Sequence, residues 1–409
     1  MGQKIAPRIF VIGFLCAVGI MPRSATAQDH TAHEHAPPHH AHEQAKPIPW
    51  TFTLEGNASI VGTVQSGPRG RNGIFGVNHI ILGAERTWGP GTFNAEGMFT
   101  LEPFTVARRA YPLLFQTGET AYGKPLVDGQ HPHDAVMTLA ARYTIPVNSK
   151  TSVFFYGGPV GEPALGPPAF MHRASASEMP AAPLSHHLQD STHITFNVVT
   201  AGFVRPRWSL EASGFRGREP DERRWGLEGG KPDSWSARFT FRPTERWSLQ
   251  ASGGRLKNPE THETSNVVRF TASASYDRLL KTGSLATTFA WGRNYHAVSN
   301  TAAHAYLAES TLRFKNRNYL YGRFEHLDRE NLEKVLLHHE PATAHRITAV
   351  TAGYARDITV RSSHRIAAGM DASFYHIPPT LMLRYGQNPR GMRIFMRYRF
   401  GGAAPHHAH

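Results

Sequence analysis

The feature that most limits the fold is a two-residue rhythm. Between Trp50 and Phe400, apolar and polar side chains alternate in segment after segment. In 235–242, Trp235, Ala237, Phe239 and Phe241 alternate with Ser236, Arg238, Thr240 and Arg242. In 268–277, Val268, Phe270, Ala272, Ala274 and Tyr276 alternate with Arg269, Thr271, Ser273, Ser275 and Asp277. In 392–400, Met392, Ile394, Met396, Tyr398 and Phe400 share one side, and Arg393, Arg397 and Arg399 take the other with Phe395 among them. Successive side chains of a strand point to opposite faces, so each segment has one oily face and one wet face.

About sixteen strands are expected, within a range of roughly twelve to eighteen. They are 50–66, 73–88, 91–104, 136–147, 151–158, 193–204, 207–218, 234–243, 246–257, 266–279, 284–296, 303–315, 318–330, 344–357, 363–376 and 391–400. Their connections alternate in length. "GP" at 89–90, "RP" at 205–206, "KTG" at 281–283 and "NR" at 316–317 are short, whereas 105–135, 159–192, 219–233, 258–265, 331–343 and 377–390 are long. Tight turns at one end and long loops at the other are the anatomy of a transmembrane antiparallel β-barrel of the Gram-negative outer membrane. Closure satisfies the backbone in hydrocarbon and removes sheet edges. No apolar run reaches the length of a membrane helix. Aromatics near strand ends (Trp88, Tyr143, Trp208, Trp247, Tyr276, Tyr295, Tyr319, Tyr321, Tyr398) are expected to form interfacial girdles. The ending "FMRYRF" resembles the terminal strand that barrel-assembly machinery reads, with the departure that "GGAAPHHAH" follows it. A secreted all-β sandwich or propeller is the competing fold.

The front of the chain reads as export. Lys4 and Arg8 precede the apolar run 9–20, and Ala25-Thr26-Ala27 is a small-x-small cleavage site, so 1–27 is expected to be a signal peptide. Removing Lys4, Arg8 and Arg23 takes the formal charge from +13 to +10. It also removes Cys16, the single cysteine, which leaves no disulfide or thiolate chemistry. The basic charge is scattered through strands rather than gathered on one face, which argues against nucleic acid as a partner. Residues 28–49 hold six histidines and four prolines with almost nothing apolar, and are expected to be a disordered periplasmic tail. The segment 401–409 is a second histidine-containing tail on the same side.

Histidine recurs in the long loops. "DGQHPHD" at 128–134 carries His131, His133 and Asp134. The 159–192 connection brings His172, His186, His187 and Asp190, and His193 follows. Imidazole with carboxylate suits Zn²⁺ or Cu²⁺, and no thiolate is present to favour Cu⁺. Met171 and Met179 add weak thioether candidates. A structural reading stands beside this one, with His and Asp bonding the loops' own backbone. A catalytic reading uses a His–Asp pair to activate Ser185 or Ser191, as in an outer-membrane lipid or ester hydrolase. In the tail, His30, His33, His35, His39, His40 and His42 on a flexible chain would bind divalent metal loosely.

The blocks "DGQHPHDAVMTLAARYT", "YGGPVGEPALGPPAFMHRASAS", "SHHLQDSTHITFNVVTAG" and "FRGREPDERRW" resemble those of a family of proteobacterial outer-membrane proteins. The resemblance covers most of 100–300. Members of that family often accompany copper and other heavy-metal resistance systems, and the resemblance implies a place in metal handling without implying a mechanism.

If the apolar partners face lipid, Arg238, Arg242, Arg269, Arg313, Arg393, Arg397 and Arg399 line the lumen with Glu211, Glu309 and Asp277. They would either knit the wall by ion pairs or favour anions. "REPDERRW" at 218–225 reads as a solvated, mutually paired loop tip. The expected function is a non-enzymatic, porin-like barrel linked to copper or another divalent metal, with no obligatory cofactor. The alternatives are a general or anion-preferring porin and the hydrolase. The pattern does not choose an oligomeric state.

Overall fold

The computed structural model describes residues 49–106, 109–260, 265–330, 332 and 344–401. The expected signal peptide, nearly all of the 28–49 tail and residues 402–409 lie outside the described residues.

Eighteen strands form, and sixteen of them close one barrel. They are β1 Thr51–Gln65, β2 Gly73–Trp88, β3 Gly91–Phe99, β4 Tyr111–Ala121, β5 Lys124–Gln130, β6 Val136–Asn148, β7 Thr151–Gly161, β8 Thr195–Arg205 and β9 Trp208–Phe215. The chain continues with β10 Ser234–Thr244, β11 Trp247–Leu256, β12 Val267–Leu280, β13 Gly283–His296, β14 Thr301–Phe314, β15 Asn318–Arg329, β16 His345–Arg361, β17 His364–His376 and β18 Arg390–Phe400. Each barrel strand falls on one of the sixteen segments read from alternation, but β3 ends at Phe99 where 91–104 was expected, because Glu102–Thr105 forms a helical turn. Neighbours pair antiparallel, and β1 joins β18 with Gly56 opposite Phe400, which closes the wall.

The alternation works as expected. Trp235, Phe239, Phe270, Met392, Ile394 and Met396 are exposed on the outer face. Arg238, Arg269 and Arg397 are buried on the inner one. An outer surface of this kind is stable only against hydrocarbon.

Two expectations need correction. The 105–135 connection is not a plain loop, because β4 and β5 form a separate hairpin within it. Its register is broken twice, and Phe115, Glu119 and Asp128 have positive φ, so no clean alternation marked it. Tyr319 and Tyr321 do not join an interfacial girdle. Both are buried inside the barrel, on the face opposite exposed Leu320. Room for inward rings comes from glycine: a Cβ at Gly353 would stand 2.4 Å from the Tyr321 ring, and one at Gly369 would stand 2.3 Å from Phe395.

The lumen is therefore not a water-filled bore. Leu113, Leu114 and Phe115 of β4 pack with Met179, Leu184 and Leu188 of the β7–β8 connection against Tyr319, Ile347, Tyr375 and Phe395 of the wall. Asp128 pins the hairpin. It accepts from Phe115 N at 2.8 Å and Tyr385 OH at 3.0 Å, and pairs with Arg69 at 2.6 Å.

Candidate functional site

Residues 162–194, between β7 and β8, enter the barrel and carry a one-turn helix, α1, at His186–Gln189. Within this segment Arg173, Glu178, Ser185, Gln189 and Asp190 are all buried. Segments of this polarity stay inside a barrel only if the wall answers each group. It does so through specific side chains. Arg173 donates to Glu309 of β14 at 2.7 Å and to Asp190 at 2.5 Å. Glu178 accepts from Arg397 and sits 3.5 Å from Arg399, both on β18. Ser185 donates through N and Oγ to Glu325 of β15, each at 2.9 Å. Arg329 donates to the Leu184 carbonyl and to Gln116, which ties the segment to the β4–β5 hairpin. The inserted segment is thus a plug, clamped by charge to the wall and by apolar contact to the hairpin.

The seven lumen arginines lie on the inner faces as expected, and several are neutralised. Arg238 pairs with Glu211 at 2.8 Å and Arg393 with Asp371 at 2.7 Å. Arg269 is clamped by the Asn294 side chain at 2.8 Å, the His187 carbonyl at 2.7 Å and Ser191 Oγ at 3.0 Å. Arg242 and Arg313 stand half-buried on the same face.

The two long connections meet. His131, His133, His186, His187 and His193 form one buried cluster. Ring centres are 6.4 Å apart for His131–His133, 6.0 Å for His131–His187, 5.3 Å for His133–His193, 5.3 Å for His186–His187 and 5.1 Å for His186–His193. They surround a cavity of about 10 Å³, together with Glu119, Asp134 and Arg224. His172 is elsewhere, with its ring 6.3 Å from that of His79. Asp190 is enclosed by Arg173 and His186 rather than facing the cavity. Asp134 meets Arg224 at 3.1 Å. The tail histidines His30, His33, His35, His39, His40 and His42 lie outside the described residues. Among the described residues, no three His, Cys, Asp or Glu groups stand as a formed metal cage.

Acidic partners set the cluster's protonation. Burial drives the His186 imidazole down to about 4 despite Asp190, and burial with neighbouring His186 and His133 puts His193 well below its ordinary value. Burial also opposes the charged form of His133, but Glu102, which accepts from its Nδ1 at 2.8 Å, holds it above the ordinary value. Burial raises Asp134 to about 7 against the pull of Arg224. Glu119 is pushed up by burial and pulled further down by Arg224 and His131, so it stays ionised.

Sequence reasoning missed these partners. Glu102, Glu119 and Glu219 carry no spacing that ties them to the histidines. The segment 218–225 is not simply a solvated tip: Arg224 is buried against Glu119 and Asp134, and Glu219 approaches His187 at 3.7 Å. The hydrolase arrangement is not assembled either. Ser185 donates to Glu325 and Ser191 accepts from Arg269, so among the described residues neither hydroxyl is bonded to a histidine.

No family model and no curated protein matches the chain. Solved structures do match in fold. OprB of Pseudomonas putida is 9% identical with a TM-score of 0.55, covering 86% of this chain and 94% of its own. The anion-selective porin from Comamonas acidovorans is 9% identical at 0.53, covering 86% and 100%. A loop-deletion mutant of OmpT, an outer-membrane protein of Vibrio cholerae, is 11% identical at 0.52, covering 86% and 99%. At these identities the likeness is one of architecture: this chain has the closed, sixteen-stranded antiparallel barrel of outer-membrane porins.

Proposed function

We propose that the protein is a porin-like outer-membrane channel of low conductance, closed or narrowed by its own plug, and not an enzyme. One observation carries this reading: residues 162–194 are largely buried in the lumen and ion-paired to two separate strands of the wall, through Glu309 of β14 and Arg397 of β18. A cavity between plug and wall, beside Asn57, Ser59, His79 and Arg397, is about 60 Å³. That suits ions and very small solutes, well below the ~300–1,000 Å³ of a typical ligand pocket. Pairing of Arg238, Arg393 and Arg397 with acids reduces the field of the wall, so selectivity for anions is expected to be weak. Delivery to the membrane would use the assembly machinery that reads a terminal aromatic, here Phe400. Planar-bilayer recording of the purified protein tests the proposal. Small or rare conductance steps are expected, and the large, steady conductance of an open bore would refute it.

A second reading links the channel to a divalent metal, copper(II) or zinc. Its support is the five-histidine cluster, shared between the plug and the β5–β6 connection, and the histidine-rich tail. The tail would capture metal at the periplasmic mouth. Substituting His30, His33, His35, His39, His40 and His42 by alanine should then lower the number of loosely bound Cu²⁺ ions in a titration, and an unchanged number would sink tail capture.

A further inference from the structure

We propose that His133, His186 and His193 are the ligands of a divalent transition-metal site, for Zn²⁺ or Cu²⁺, built where the plug meets the β5–β6 connection. The inference deepens the metal reading by naming a site, and it stands apart from both the tail and conduction.

The argument starts from which nitrogen each ring has committed. His133 Nδ1 lies 2.8 Å from Glu102 Oε2, His186 Nδ1 lies 2.7 Å from Asp190 Oδ1, and His193 Nδ1 lies 3.0 Å from the Asp190 carbonyl. An oxygen can only accept, so in the neutral ring each Nδ1 carries the proton. That tautomer leaves the lone pair on Nε2. A carboxylate or carbonyl behind the ring, with the far nitrogen free, is the arrangement that orients a metal-binding histidine.

Nε2 of His133 and of His193 is buried with no hydrogen-bond partner. The three residues are 7%, 2% and 8% exposed, so water does not generally answer those lone pairs. Leaving a buried polar atom unsatisfied costs about 1–3 kcal/mol, and native proteins rarely keep two side by side without a reason.

Spacing agrees. A tetrahedral ion about 2.0–2.1 Å from each Nε2 holds the centres of two ligating rings about 5 Å apart. The observed separations are 5.3 Å for His133–His193 and 5.1 Å for His186–His193. Among the described residues no three groups are closed on one point, so binding would require the His133 and His186 rings to turn toward His193. His187, whose ring nitrogens both lack a hydrogen-bond partner, lies 5.3 Å from His186 and is the nearest fourth donor. Three imidazoles without thiolate select Zn²⁺ or Cu²⁺ over Mg²⁺ or Ca²⁺. Ionised Glu102 and Asp190 behind the rings offset the ion's charge.

Cobalt(II) reports the geometry in the full-length protein. One equivalent of Co²⁺ should give the intense visible bands of a tetrahedral site, and Zn²⁺ should displace them. Histidines that do not form a tetrahedral site give only the weak octahedral spectrum, so tail binding and site binding are separated. His193→Asn should abolish the intense bands. Glu102→Gln should weaken Co²⁺ affinity by about 10–100-fold, because it orients a ligand without being one. Heat-modifiable migration in gels certifies a closed barrel in each variant, and the wild-type Zn²⁺ competition needs no variant at all. A folded wild type that shows only the octahedral spectrum overturns the proposal, as do intense bands that persist unchanged in His193→Asn.

Discussion

Glu178→Gln should open the channel. Glu178 sits in the plug, accepts from Arg397 and lies 3.5 Å from Arg399, and its side chain and that of Arg397 are 0% and 2% exposed. Removing one partner of a buried pair costs about 3–5 kcal/mol, because the other charge is left uncompensated. The structure argues for the lower end. Arg397 keeps Asp357 at 3.5 Å, and the Arg173 clamp and the packing of Met179 and Leu184 remain. About 3 kcal/mol shifts the docked-to-undocked ratio of the plug about a hundredfold. The barrel itself should survive, since its strand ladder does not run through Glu178. Planar-bilayer recording should therefore show longer and more frequent open events than wild type, with unchanged heat-modifiable migration. Adding Arg397→Gln should restore part of the closure, since no uncompensated guanidinium is left facing the plug. A folded Glu178→Gln barrel with wild-type open times would refute the reasoning, and with it the view that ion pairs hold the plug.

Two other expectations follow from the same geometry. Acid should loosen the plug: burial pushes Glu178 up but Arg397 and Arg399 pull it further down, so its folded value lies below the ordinary 4.5. A depressed carboxyl stabilises the docked state above its unfolded value and loses that contribution as pH falls through the folded one, so open probability should rise only below about pH 4.5. Glu178→Gln should lack this acid step, and a wild type with flat conductance from pH 7 to pH 3 would count against it. Ile394→Arg should destabilise the barrel in lipid by about 2–4 kcal/mol, because Ile394 is exposed at mid-strand on the outer face. Denaturant titration in vesicles measures this, and a cost near zero would mean that β18 does not face hydrocarbon.

The strands could be read from the sequence because a bilayer imposes a simple code: alternate residues meet oil. The code says nothing about what the other face meets, and there the reading failed. Tyr319 and Tyr321 resemble girdle residues only if the lumen is assumed wet. In fact the plug brings Leu184 and Met179 inside, so inward aromatics pack as in a core. Phe395 held the clue, an aromatic set among the arginines of the last strand. The histidines could be picked out by type, and their meeting could be expected from two long loops on one rim. Their partners could not. Glu102 is 31 residues from His133 and Glu119 is 105 from Arg224, separations that only the folded loops bring within bonding distance. The inner arginines point the same way. Arg397 was expected either to be ion-paired within the wall or to add to an anion-favouring field, and it is paired with the plug instead. A wall that binds its own loop this tightly has little charge left to select a passing solute. Whatever selectivity the channel has is therefore set where plug and wall leave space, beside His79 and His133, rather than by the barrel's overall charge.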